Sequence, residues 1–241
     1  MLPAMSSFAA TLGQLAGVGG WLSDDQALRL WTRALDVPEG GRIVEIGSFQ
    51  GRSTVVLASA AHDGVEVVAI DPHAGNDRGP QEIAGYVDEA ESDNALFHDN
   101  LERAGVGDKV RHVRSFSHDA LADVEGPIDL LYIDGAHRFA PALADVREWG
   151  DRVRDGGTML IHDSFSSVGV TLALLRAQLV NRGWRYVGRS RSLAEYRREQ
   201  VAGTAAARSA AKQLAQLPWF AQNVGKKVLI SLRLKSGPWP Y

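Results

Sequence analysis

The sequence predicts a doubly wound α/β fold, a Rossmann-like, mainly parallel sheet with helices on both faces. Three observations carry that expectation. Short apolar runs, RIVEI, VEVVAID, IDLLYID and TMLIHD among them, alternate with segments of helical periodicity along most of the chain. The runs are apolar throughout instead of alternating in polarity, as strands covered on both faces are. Polar residues collect where the runs end, and in open α/β sheets ligands lie outside the carboxyl ends of the strands.

Composition agrees with a folded domain. A length of 241 residues suits one large domain or one domain with an appendage. Hydrophobic residues at 45% and charged residues at 23% exclude a disordered or fibrous chain. The absence of cysteine excludes disulfides, thiolate metal sites and a cysteine nucleophile, and it fits a cytoplasmic location. The first basic residue is Arg29, so the charged flank of a signal peptide is missing. No apolar run approaches the ~18 residues of a membrane span. The net charge of −3 conceals an asymmetry, because residues 201–241 carry +6 and no acid while the rest carries −9.

The elements follow in order. Ser23 fits the N-cap of a helix over WLSDDQALRLWTRAL, with acids in the first turn and apolar residues at Ala27, Leu28, Leu30, Trp31, Ala34 and Leu35. Pro38 and the Gly40-Gly41 pair stop it, and RIVEI begins the first strand. A helix around Ser53 to Ala61 leads to VEVVAID, and one from about Ser92 to Ala104 leads to VRHVRS. A short helix near His118 precedes IDLLYID, a helix through Ala140 to Val153 precedes TMLIHD, and Val170 to Asn181 leads to WRYVGRS. The polar stretch from Asp71 to Asp93 is long for a connection and reads as a lid or substrate loop. The Ala-rich VAGTAAARSAA after Val201 reads as a linker or the start of a tail helix. Residues 1–40 form an N-terminal helical cap in this reading, 41–199 the main domain and 200–241 a basic tail.

Four strand ends carry the chemistry. The first ends in Glu45 and turns through Gly47, Ser48 and Gly51 into a helix whose N-terminus offers N–H groups; such glycines serve ligand approach or plain turn packing. The second ends in Asp71, 24 residues past Gly47, where a carboxylate can accept ribose hydroxyls or cap a turn. Together they point to adenosine. The third runs into Ser115, Phe116 and Ser117, with Phe116 either facing an adenine ring or lying in the core. A pyrophosphate fingerprint would need glycine where Phe49 and Arg52 stand, which disfavours NAD(P) and a reductase. The fourth strand gives Asp134 and His137 and the fifth His162 and Asp163, groups suited to a hard divalent ion or to proton removal.

The spacing E-x-G-x-x-x-G resembles the first motif of class I S-adenosylmethionine-dependent methyltransferases. IVEIGSFQG, VVAIDPH, LYIDGAH and GGTMLIHD stand in that family's order between about Trp21 and Arg198. The chain looks most similar to the bacterial small-molecule O-methyltransferases that include the macrocin-type sugar enzymes. That resemblance implies a seven-stranded sheet with a reversed last strand, for which SLAEYRRE is the candidate and KVLISLRL the alternative. It implies S-adenosyl-L-methionine held by Glu45, Gly47, Ser48, Gly51, Asp71, Phe116, Ser117 and Asp134, and methylation of a small hydroxylated acceptor such as a sugar or glycoside. No nucleic-acid partner is expected.

The cofactor's sulfonium is already activated, so the protein must align the acceptor and make its oxygen nucleophilic. Mg²⁺ on Asp134, Asp163 and Ser164 is one route, and proton removal by His137 beside Asp134 is the other. Metal-dependent relatives have an Asp-Asn pair after the fifth strand, and serine is the weaker ligand. His162 reads as a core histidine, while His73 in DPH faces either substrate or solvent. A noncatalytic cofactor-binding module is the alternative of a different class. In the tail, Trp219, Phe220, Val228, Leu229, Ile230, Leu232 and Leu234 among lysines and arginines suit a peripheral contact at the inner membrane face, docking on the body, or a homo-oligomer interface.

Overall fold

The computed structural model describes residues 7–74 and 87–232. Helix α1 (Phe8–Gln14) starts at Ser7, whose hydroxyl accepts the Ala10 N–H. Helix α2 (Asp24–Leu35) starts at Ser23, whose N–H is accepted by Gln26, and it buries Ala27, Leu30, Trp31 and Ala34 while Leu28 stays exposed. The alternating elements follow: β1 (Arg42–Ile46), α3 (Arg52–Ala60), β2 (Glu66–Ile70), α4 (Val87–Arg103), β3 (Val110–Val113), β4 (Ile128–Ile133), α5 (Phe139–Glu148), β5 (Val153–Ile161) and α6 (Val168–Gln178). A hairpin, β6 (Trp184–Ser190) and β7 (Leu193–Arg198), leads to α7 (Gly203–Leu214) and α8 (Leu217–Ser231).

The strands form one seven-stranded sheet in the order β3-β2-β1-β4-β5-β7-β6. Strands β3 to β5 in that order pair in parallel, and β7 runs antiparallel to both β5 and β6. The reversed strand is therefore the one expected at SLAEYRRE. Successive residues point to opposite faces, so Ile43, Val67, Leu130, Tyr132 and Leu160 join one core with α2, α3 and α4. Val44, Val68, Leu131, Ile133 and Met159 join a second core with Trp149, Phe165, Leu174 and Tyr196.

Several boundaries differ from expectation. The short helix near His118 is a 3-10 turn at Ala120–Ala122, and the fifth helix ends at Glu148, where buried Trp149 and Gly150 turn the chain toward β5. The alternating LeuIleSer stretch of KVLISLRL is helical within α8. Its backbone follows the face formed by Trp219, Phe220, Asn223 and Lys227, and docking of that face offsets the ~1 kcal/mol an interior glycine such as Gly225 costs. The lid reading of Asp71 to Asp93 falls largely on residues 75–86, outside the described residues. Strand order reverses between β1 and β4, and that crevice is the switch point at which open α/β sheets bind ligands.

Candidate active site

The two loops that meet at the crevice touch backbone to backbone. Gly47, at φ +85°, lies so close to the β4–α5 loop that a Cβ would stand 2.3 Å from the Asp134 carbonyl oxygen and 2.9 Å from the Gly135 Cα. Glycine is obligatory there, both for the contact and for the conformation. Gly51, at φ +84°, caps α3 with Phe97 of α4 against it. Between them Phe49 also has positive φ, +45°, which costs a non-glycine residue about 1 kcal/mol. Its N–H donates to Asp71 Oδ2 at 2.9 Å, and its ring lies 5.6 Å from Trp21. Arg52, at the position where a dinucleotide loop has glycine, donates to the carbonyls of Leu15, Val18 and Leu22 and fastens the N-terminal segment to this turn.

Asp71 accepts one N–H on each oxygen, from Phe49 and, at 2.7 Å, from His73. Each carboxylate oxygen keeps a second lone pair. Ser48 is buried, and its hydroxyl has no hydrogen-bond partner among the described residues. Glu45 is placed differently from expectation. It is fully buried on the α3 side of the sheet, where it accepts from Ser53 and from Thr54 at 2.5 Å, so it ties β1 to the first turn of α3 rather than lining the crevice. Burial pushes its carboxyl up to about 8, with the charges of Asp134 and Asp71 acting in the same direction and the two hydroxyls against it.

Phe116 is 53% exposed beyond β3 and stacks on His118. The Ser117 hydroxyl donates to Asp145 of α5 at 2.5 Å. Burial pushes Asp145 up to about 6. His73 is buried, not solvent-exposed, with its ring 5.0 Å from His112 and 5.6 Å from Phe97. Burial depresses both imidazoles, His112 to about 4.

At the ends of β4 and β5 the polar groups form a chain. The Tyr132 hydroxyl donates to Asp134 Oδ2 at 3.0 Å, and the buried His162 stands with Nδ1 3.2 Å from Asp134 Oδ1 and 3.7 Å from Asp163 Oδ1. Asp163 Oδ2 lies 2.6 Å from His137 Nε2, the most direct contact in the set. His137 Nε2 is assigned as the donor to Asp163 from this contact, and Nδ1 is shielded from solvent. The N-terminus of α6 abuts this segment, since a Cβ at Gly169 would stand 2.2 Å from the His137 carbonyl. Phe139, Val168 and Leu172 stay exposed along α5 and α6.

The suggested metal set does not assemble. Ser164 is buried with its hydroxyl donating back to the Ile161 carbonyl at 2.8 Å, and Asp163 is engaged by His137. Among the described residues no group of three or more histidines and carboxylates comes together to hold a metal ion. Asp134, Asp163 and Ser164 therefore do not fit Mg²⁺ as arranged. Sequence reasoning gave Trp21 and Tyr132 no site role and used Arg52 only against a dinucleotide loop, whereas the structure makes it the tie to the N-terminal segment.

A family model described as a methyltransferase domain matches residues 44–164. The chain belongs to that family. Among curated proteins, "Uncharacterized protein R132" of Acanthamoeba polyphaga mimivirus is 27% identical over 125 residues, and the chain spans about half the length of that relative, with 50% of each chain covered. Among solved structures, cofactor-bound Rv0187 from MTB superposes with a TM-score of 0.58 at 21% identity over 80% of this chain and 89% of that one. The O-methyltransferase NovP gives 0.59 at 17% over 74% and 81%. The O-methyltransferase from Bacillus cereus in complex with SAH gives 0.55 at 19% over 81% and 90%. At these identities the likeness shows the shared fold.

Proposed function

We propose that the protein is an S-adenosylmethionine-dependent O-methyltransferase acting on a hydroxyl of a small molecule, with a sugar or glycoside as the leading acceptor class. The observation that carries this reading is the crevice itself: the Gly47 turn pressed on the Asp134 loop, Asp71 at its edge, and the His137–Asp163 pair on the far side. The Ser48 hydroxyl, without a partner among the described residues, and the spare lone pairs of Asp71 fit the polar parts of the cofactor, and exposed Phe116 fits the adenine face. S-Adenosylmethionine supplies the methyl group on a sulfonium. The chain's own task is to orient the acceptor and take one proton. Asp163 holds the His137 ring by Nε2, and the His137–Asp163 pair receives the proton of the acceptor hydroxyl. Exposed Phe139, Val168 and Leu172 offer an apolar rim that suits the flat face of a sugar or aromatic ring. NovP and the Bacillus cereus protein, both O-methyltransferases by name, support oxygen as the acceptor atom.

Replacing Asp71 with Ala removes the ribose acceptor and the anchor of the Phe49 turn. Affinity for S-adenosylmethionine is expected to fall by roughly 1.5 to 3 kcal/mol per lost charge-assisted bond, read by calorimetry. His137→Ala is expected to lower kcat about 10² to 10⁴-fold at near-parental cofactor affinity in a labelled-methyl assay against sugars, glycosides and phenols, run with and without chelator. Unchanged cofactor affinity in the Asp71 variant sinks the assignment.

A further inference from the structure

The work given to His137 requires the Asp163 carboxylate to stay where it is, and Asp163 sits in an unusual piece of backbone. It and Phe165 both have left-handed φ, +52° and +57°, although neither is glycine. Side chains disfavour that region, so the turn after β5 persists because its surroundings determine it. From the sheet, the Ser164 N–H reaches the Ser192 carbonyl at 2.8 Å, and the Ser166 and Ser167 N–H groups return to the Asp163 carbonyl. From the other side the turn is held by α8. Asn223, 2% exposed, donates to the Phe165 carbonyl at 3.4 Å, and Lys227 Nζ donates to the Ser166 carbonyl at 3.0 Å and the Ser166 hydroxyl at 3.2 Å.

The helix is itself anchored. Trp219 and Phe220 pack on the second core, and the Arg189 guanidinium lies 3.8 Å from the Trp219 ring centre. These donors reach the turn across about 60 residues of sequence and lie outside the residues matched by the family model. A lysine brings three donors on a flexible stem, which suits two acceptors offered by one residue of an irregular turn.

We propose that α8 is a working part of the active site: Asn223 and Lys227 are positioning residues that hold the β5–α6 turn in the conformation that keeps Asp163 on His137. The role rests on the O-methyltransferase reading for its effect on turnover, while the positioning can be read without turnover. It also gives Lys227 a place in the fold rather than on a lipid headgroup.

The test uses the full-length protein with Lys227→Met, Lys227→Arg and Asn223→Ala. The His137 Nε2–H held by Asp163 gives a slowly exchanging downfield proton resonance, assigned by its loss in His137→Gln. Lys227→Met is expected to broaden or abolish that resonance at unchanged melting temperature. It should lower kcat about tenfold to a hundredfold, as small misplacements of catalytic groups do, with cofactor affinity within about twofold. Lys227→Arg should restore both. Asn223→Ala should act in the same direction as Lys227→Met. An intact resonance and parental kcat in Lys227→Met overturn the proposal. So does a drop in melting temperature with the resonance intact, which marks Lys227 as a stability contact. A resonance that responds as expected in a protein transferring no methyl group leaves the positioning standing and removes the O-methyltransferase reading.

Discussion

Glu45 holds a proton that an exposed glutamate would have lost. Its ordinary value is 4.5 and its folded value about 8, so between those pH values the folded chain binds more protons than the unfolded one. Stability contributed by this site is therefore present below about pH 4.5 and declines as pH rises toward 8. The difference is on the order of a few kcal/mol for a fully buried group. Glu45→Gln keeps the shape and one of the two acceptor oxygens offered to Ser53 and Thr54, and it removes the titration. Urea denaturation at pH 5 and pH 8 should show a smaller loss for the variant than for the parent, the remaining pH dependence coming from groups such as Asp145 and His112. The sequence marked Glu45 as a cofactor ligand because it lies at a strand end, but side-chain alternation sends it to the face of Ile43, beneath α3. Gly47 and Asp71 were legible, because strand-end position and turn chemistry identify them locally. Lys227 was not, since nothing local to VGKKV announces a turn some 60 residues earlier in the chain.

Among the elements, β7 shows how the reversed strand is locked. Glu195 is buried and takes both Arg33, at 2.8 Å, and Arg29 from α2. Replacing it with Gln leaves two partly buried guanidinium groups facing a neutral amide. The expected cost is about 1 to 3 kcal/mol, below that of a fully buried pair because the arginines keep some water. Chemical denaturation measures it, and a value within about 0.5 kcal/mol of zero would remove the lock. Strands β1, β2, β4 and β5 were readable as apolar runs, and the SLAEYRRE segment as the reversed one. The end of the chain was less readable: IleSerLeuArgLeu alternates as a strand does, yet Ile230 and Ser231 end α8, which the partners of Trp219, Asn223 and Lys227 hold on the body.

At the scale of the whole molecule, the basic tail is joined to the body through side chains that belong to the core. Ser209 accepts the Tyr186 N–H at 3.0 Å, and Gln213 accepts the hydroxyl of fully buried Tyr196 at 3.1 Å. Truncation after Gln200 strips these partners and bares two tyrosines. The melting temperature should fall by about 5 °C or more, since several kcal/mol are lost and each kcal/mol moves a chain of this size by a few degrees. A tail used chiefly for membrane contact predicts an unchanged melting temperature together with loss of sedimentation on anionic liposomes. Val228, Leu229 and Leu232 remain exposed for such a contact, and among the described residues no helix is long and apolar enough to cross a membrane. The insertion of β7 between β5 and β6 also bears on how the chain is made. A ribosome delivers β5 well before its permanent neighbour, so the outer edge of Met159, Leu160 and Ile161 waits without a partner strand until residue 198 emerges. During translation that edge is the segment most open to pairing with another nascent chain, and a chaperone protecting this protein should be needed most in that interval.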